Sequence, residues 1–325
     1  MSKQDFTVGS QPCLLQGVQD LFGDEEVQPS GRLFSLAISA DGSVLAMGDE
    51  AGGIFAWDLL SGHGPARVGT VEASVEQLIF MPDGATLACG DDEGAITTWS
   101  LPDRAMIRSR PRAHERGIYA AAVTREGYLL TGALDGHVKA WEATSLELVR
   151  DAFSTRHGVL SLNLGTKYLH AGNVSGKISC WNGIDSEPVF VSRIHRGPVF
   201  AIRDVNGSGL LASCGQESIV QFWEAGSGSV VGGFEAGQGK VLDLLVFPTS
   251  HPCSSNMDGE TFNLATAGGD GTIKTWQVDS GDLSSAVLVS STRAHDRTVE
   301  KIVLDSARRS LYSVSSDGSA KKWGY

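Results

Sequence analysis

The stretch Thr266-Ala267-Gly268-Gly269-Asp270-Gly271-Thr272-Ile273-Lys274-Thr275-Trp276 decides the fold, because the chain repeats it. Seven copies each end on one of the seven tryptophans, Trp57, Trp99, Trp141, Trp181, Trp223, Trp276 and Trp323, at spacings of 42, 42, 40, 42, 53 and 47 residues. A period in this range marks stacked supersecondary units. Five residues before the Trp stands Gly52, Gly94, Gly136, Gly176, Gly271 or Gly318, with Ser218 the exception. Three before it stands Ile54, Ile96, Val138, Ile178, Val220, Ile273 or Ala320. The residue ahead of the turn position is acidic at Glu93, Asp135, Glu217, Asp270 and Asp317, but not at Ala51 or Ser175. Each copy reads as a hairpin. A small apolar strand enters a tight turn whose Gly supplies positive φ, and a β-branched alternating strand leaves it with its Trp on the buried face.

Forty glycines and 7% aromatic residues suit many short strands joined by tight turns, and no window sustains a helical period. The expectation is an all-β chain in which residues 1–325 form one closed domain. Lys plus Arg number 26 against 38 Asp plus Glu, a net charge of −12. That balance disfavours direct nucleic-acid binding, because phosphate neutralisation supplies most non-specific affinity. The five cysteines are an odd number with no CxxC pair. Cys89, Cys180 and Cys214 fall in expected strands and read as small buried hydrophobes in a reducing compartment. With no apolar signal core at the N-terminus and no run of 18 apolar residues, neither secretion nor membrane insertion is expected. An intracellular protein, cytoplasmic or nuclear, is the reading.

The Asp-Gly-x-Ile-x-x-Trp strand, together with a His ahead of several units (Ala113-His114, Arg156-His157, Ile194-His195, Ala294-His295), resembles the WD-repeat family. The resemblance covers about residues 30–325 and implies a seven-bladed β-propeller of four-stranded antiparallel blades. It also implies a buried hydrogen-bonded tetrad of His, Ser or Thr, turn acid and Trp. Carried over by position, His114, Thr131, Asp135 and Trp141 complete the tetrad in the third unit, and His295, Ser313, Asp317 and Trp323 in the seventh. His195, Ser213, Glu217 and Trp223 nearly complete it in the fifth. The sixth has Thr266, Asp270 and Trp276, with Gly237 near the expected His. Units one, two and four lack most of it, and the fourth has two residues fewer after His157. These sets repeat round a ring and carry a Trp donor, so they read as satisfied scaffold and not as hydrolytic triads.

The last unit ends two residues past Trp323 and lacks an outer strand. An open ladder invites aggregation, so an N-terminal strand is expected to complete it. The candidate donors are residues 11–18 or Phe6-Thr-Val8, with residues 19–31 as an acidic connecting loop. The sixth unit carries a polar insertion at 249–260, where His251 and Cys253 lack a third metal ligand. Neither Gly172–Lys177 nor Gly233–Lys240 has phosphate-loop spacing. No cofactor or metal is expected, and no catalytic residue stands out.

Binding surface is the better lead. In the family, the narrow face is lined by the residue before the turn acid and by those flanking the first apolar residue of each inner strand. Here that resemblance selects Phe34, Tyr119, Leu134, Leu160, Val174 and Phe200 as an apolar arc, with Glu50, Glu76 and Asp92 on an opposite acidic arc. The expected function is a non-enzymatic scaffold or adaptor, a monomeric propeller within a larger complex. Its partners would be proteins or peptides, including ones with basic segments. The alternative is a reader of short basic or modified linear motifs at the channel mouth. A propeller enzyme is the remote third reading; it needs clustered polar groups of perturbed pKa.

Overall fold

The computed structural model describes residues 15–23, 27–61, 63–183, 186–247 and 261–325. Within them the chain forms seven four-stranded antiparallel sheets and no helix. Blade three shows the common plan: Ile118–Val123, Tyr128–Ala133, His137–Glu142 and Leu148–Ser154, each paired with the next. The first strands of the seven blades begin at Leu33, Val75, Ile118, Val159, Val199, Val241 and Val299. The expected seven-bladed propeller is therefore the fold.

The hairpin glycines do two jobs at once. Gly52, Gly94, Gly136, Gly176, Gly271 and Gly318 have φ between 82° and 88°, the left-handed region that favours glycine. A Cβ on Gly52 would also lie 2.1 Å from the Val71 carbonyl oxygen, so the turn accepts the loop that enters the next blade. All seven tryptophans are buried, as are the apolar residues three positions before them. Each such side chain removed from water contributes about 1.5–3 kcal/mol.

Blades meet through the first apolar residue of each inner strand. Val75, Ile118, Val159 and Val199 press onto Gly48, Gly90, Gly132 and Gly172 of the preceding blade, and a Cβ at Gly48 would sit 2.2 Å from Val75 Cγ1. The core is accordingly a set of clusters that straddle neighbouring blades. One unites Ala120, Leu130 and Phe153 of blade three with Val159, Leu169 and Trp181 of blade four. Cys89, Cys180 and Cys214 are free and buried within this packing. Burial pushes the Cys89 thiol up to about 12 and the Cys180 thiol up to about 11.

Blade seven is completed from the N-terminus, but further along the chain than the apolar residues suggested. Gln16–Asp20 pairs antiparallel with Ala320–Gly324, with a bulge between Gln16 and Val18. Of the expected 11–18 donor, the described residues 16–18 take part, and residues 1–14, with the alternative donor, lie outside the described residues. The reason is burial: all five strand residues are exposed, so an outermost strand needs no apolar pattern. Part of the supposed acidic loop is core instead. Leu21 donates its N–H to Ala320 O, and Leu21 and Phe22 are buried beneath blade one with Phe55 and Trp57. The 249–260 insertion lies outside the described residues, as do Cys13 and Cys253.

Candidate functional site

Four blades carry a buried polar relay. In blade three, His114 Nδ1 lies 2.9 Å from Asp135 Oδ2 and Nε2 2.7 Å from Thr131 Oγ1, while Trp141 Nε1–H donates to the same hydroxyl at 2.8 Å. In blade five, His195 joins Glu217 at 2.8 Å and Ser213 at 2.7 Å, with Trp223 donating to Ser213 at 3.0 Å. Burial opposes charge on Asp135, yet bonds from His114 and the His137 and Glu115 amides hold its carboxyl at about 2. Burial pulls His195 down and His295 to about 4, so both rings are neutral at pH 7. The protons then run one way, from indole to hydroxyl, hydroxyl to Nε2, and Nδ1–H to the acid side.

Blade seven departs from the expected direct pair. His295 Nδ1 meets Ser319 Oγ at 2.8 Å, Ser319 donates to Asp317 at 2.6 Å, and Asp317 itself stands 3.4 Å from the ring. Ser313 accepts from Trp323 at 2.9 Å and lies 2.8 Å from His295 Nε2. Blade six uses the same detour with a different head group. Gln238, not Gly237, occupies the imidazole's place. Its Oε1 accepts from Thr266 at 2.6 Å, and its Nε2 donates at 2.9 Å to Thr272, which donates in turn to Asp270. An amide offers one acceptor and one donor, as a neutral imidazole does. Three lysines add a second unforeseen contact: Lys139, Lys274 and Lys321 donate to the carbonyls of Ala113, Ala236 and Ala294, just ahead of the His or Gln segment. The visible signal was a Lys two residues before Trp in three of these four units.

Met47, Cys89 and Ala171 stand at the hydroxyl's register position in blades one, two and four. Their turns are held by a buried Asx two residues ahead of the turn-acid position. Asp49 accepts from the Ala51 and Gly53 amides, Asp91 from Glu93 and Ala95, and Asn173 from Ser175 and Lys177. The freed space is apolar in two of the three. Phe22 packs with Met47 and Trp57, and Val71 packs with Cys89 and Trp99.

The seven inner strands meet round a central cavity of about 100 Å³ to which every blade contributes. Each inner strand is bulged at its second residue, placing Phe34, Glu76, Tyr119, Leu160, Phe200, Leu242 and Glu300 in one ring at its mouth. The turn residues form a second ring. Glu50, Asp92, Leu134, Val174, Gln216, Gly269 and Ser316 each donate a backbone N–H to the residue preceding the inner strand. Of the residues selected from sequence, Tyr119, Leu160 and Phe200 line the cavity together, whereas Leu134 and Val174 sit in the outer ring. Blades seven, one and two place Glu300, Glu50, Glu76 and Asp92 in these rings; blades three to six place no charged residue in them.

The acidic side is not separated from the apolar one. Tyr119 donates its hydroxyl to Asp92 at 2.9 Å, joining the two arcs. Burial first, then the charges of Asp92 and Glu300, raise Glu76 to about 7, against a hydrogen bond from Ser74 at 2.8 Å. Burial also raises Glu300, although Ser316 donates to it and Lys240 and Lys301 are near. Deeper in the cavity, Asp243 is paired with Arg203 at 2.6 Å.

Comparison with protein-family models gives no match, and comparison with curated protein sequences gives none either. Solved structures do resemble this one. A chain of a crystal structure of the mitotic checkpoint complex superposes with a TM-score of 0.80 at 19% identity, covering 100% of this chain and 99% of that one. U3-55K superposes with a TM-score of 0.80 at 15% identity, covering 95% and 98%. At these identities the likeness is one of fold.

Proposed function

We propose that this protein is a non-enzymatic scaffold or adaptor, one closed propeller domain on which other proteins assemble, and that the channel mouth is a docking site. The observation that carries the reading is the unequal charge of the two rings. Three neighbouring blades present four carboxyl groups, and the other four blades present apolar and neutral polar groups. Such a mouth suits a partner segment with Lys or Arg at one end and apolar anchors at the other. A pre-formed surface adds little ordering cost on binding. One of the two similar structures is itself that of a complex, which agrees with a role in assembly. The protein is read as a monomeric intracellular propeller that binds proteins or peptides in preference to nucleic acid.

Glu76 favours a narrower version, recognition of short basic motifs. A half-buried carboxyl raised to about 7 by burial, with two other acids adding to it, gains most from a cation that replaces lost water. A lysine-containing peptide should therefore bind more tightly as pH rises from 6 to 8, and Glu76→Gln should abolish that rise. For the scaffold reading, affinity purification with mass spectrometry compares the wild type with E50K/D92K and with Y119A/F200A. Each pair should lose associated proteins; unchanged recovery with both would retire this face.

A further inference from the structure

Among the described residues, blade four has no polar relay beside its tryptophan, and Phe153 stacks on one face of Trp181 while the histidine's place is left to Thr155. Thr155 donates its N–H to Gly136 O, as His114 does to Gly94 O and His295 to Gly271 O, so Thr155 holds the backbone place of the tetrad histidine. Its hydroxyl turns back to the His157 carbonyl, and His157 itself is exposed. Opposite, Ala171 offers no hydroxyl. What results is a cleft of about 410 Å³ between the outer strand of blade three and blade four, against about 100 Å³ for the central cavity.

Its chemistry is specific. Phe153 and Trp181, stacked with ring centroids 4.0 Å apart, form an aromatic wall. Arg156, His157 and Lys177 border it, with Glu187 the single acid among the lining residues. Neither Arg156 nor Lys177 has an ion-pair partner among the described residues. In a chain of net charge −12, an acidic ligand is repelled over most of the surface and favoured here.

We propose that this cleft is a second docking site, which takes an acidic segment of a partner protein with one apolar side chain against Phe153 and Trp181 and carboxylates on Arg156 and Lys177. Its sign is opposite to that of the channel mouth, so the two sites stand or fall separately. The probe is a fluorescent peptide with a central phenylalanine flanked by aspartates, read by anisotropy. Saturable binding is expected, weakened about tenfold or more by R156E/K177E and by replacing the phenylalanine with alanine. E50K/D92K should leave it unchanged. Hydrogen exchange on the unmodified protein should show peptide-dependent protection at residues 152–157 and 177–181. The proposal is overturned if the wild type does not bind, or if R156E/K177E, folded by near-ultraviolet circular dichroism, binds equally well. Equal binding of the alanine peptide, which would mean diffuse attraction, or equally tight competition by a single-stranded oligonucleotide would also overturn it.

Discussion

Blades three and four are neighbours with the same strand plan, yet they secure their tryptophans by different means. In blade three the Trp141 indole is the first member of a chain that ends on Asp135, and every buried polar atom along it has a partner. In blade four Trp181 leans on Phe153, and a buried Asn173 holds the turn without help from a histidine. The difference originates in two residues, Ala171 in place of the hydroxyl and Thr155 in place of the histidine, four residues before Val159 as His114 is before Ile118. The lesson is that the tetrad is a set of mutually dependent polar groups. Once the hydroxyl is gone, a buried imidazole has nothing to bond and its burial becomes a cost.

The path of residues 155–158 changes how the turn glycine is confined, and this gives the largest expected effect. A Cβ on Gly176 would meet the His195 carbonyl oxygen at 2.1 Å, whereas on Gly136 the nearest atom, the His157 carbonyl oxygen, lies at 3.3 Å. Both residues have positive φ, so both substitutions carry backbone strain. Gly176→Ala should cost about 3 kcal/mol or more, and Gly136→Ala about 1–2 kcal/mol, in urea unfolding. Equal costs would mean that the approach of the entering loop does not set the confinement. Next in size is Thr131→Val, which leaves His114 and Trp141 buried without their common partner. A loss of about 2–3 kcal/mol is expected, with little change in the urea m-value. A loss below about half a kcal/mol would show the relay to be passive.

Much of this was legible in the sequence because each position repeats. The turn glycine, the β-branched residue and the tryptophan are fixed by local backbone geometry and recur in register, so they announced both fold and blade number. The hydroxyl position followed: Thr131, Ser213, Thr266 and Ser313 bond the indole as expected. What stayed hidden depends on chemistry that is not tied to one residue type or one spacing. Gln238 does a histidine's work, and the signal available was a unit with Thr266 and Asp270 in place but no His. His157 matched the motif by type while Thr155 took its place in space, because the four-residue spacing to the inner strand belongs to Thr155 and not to His157. Leu21 and Phe22 looked like linker because they stand beside an acidic run. At the channel mouth, ring positions could be assigned blade by blade, but the Tyr119–Asp92 bond joins two blades and has no sequence period.

Blade six shows that an amide can replace the imidazole, which sharpens the comparison through pH. Burial brings His295 from an ordinary 6.5 to about 4, so the folded state resists a proton that the unfolded chain accepts. The contribution of a neutral His295 to stability is complete above about pH 6.5 and declines as pH falls toward 4. His295→Gln, copying Gln238, should keep stability at pH 7.5 within about 1 kcal/mol. It should also reduce the loss between pH 6.5 and 4.5 by about 1–2 kcal/mol. His170 and His195, also lowered by burial, and Glu76, raised by burial, keep the same surroundings in the variant and the wild type alike. The difference between the two pH profiles therefore isolates His295. Parallel profiles would place the proton sensitivity elsewhere.

The smallest effect tests the cause of the contrast. If blade four lacks its relay because two partners are missing together, restoring either alone should gain nothing. Thr155→His places an imidazole against Ala171, and Ala171→Ser buries a hydroxyl beside Trp181 without the imidazole that would accept from it. Each single change should be neutral or cost up to about 1 kcal/mol. The double variant supplies donor and acceptor at once, and a double-mutant cycle should return a favourable coupling of about 1 kcal/mol. The same variant narrows the cleft beside Trp181, so binding of the acidic phenylalanine peptide should fall as stability recovers. Additive single effects would mean that the backbone path of residues 155–158, and not the missing side chains, keeps the two positions apart.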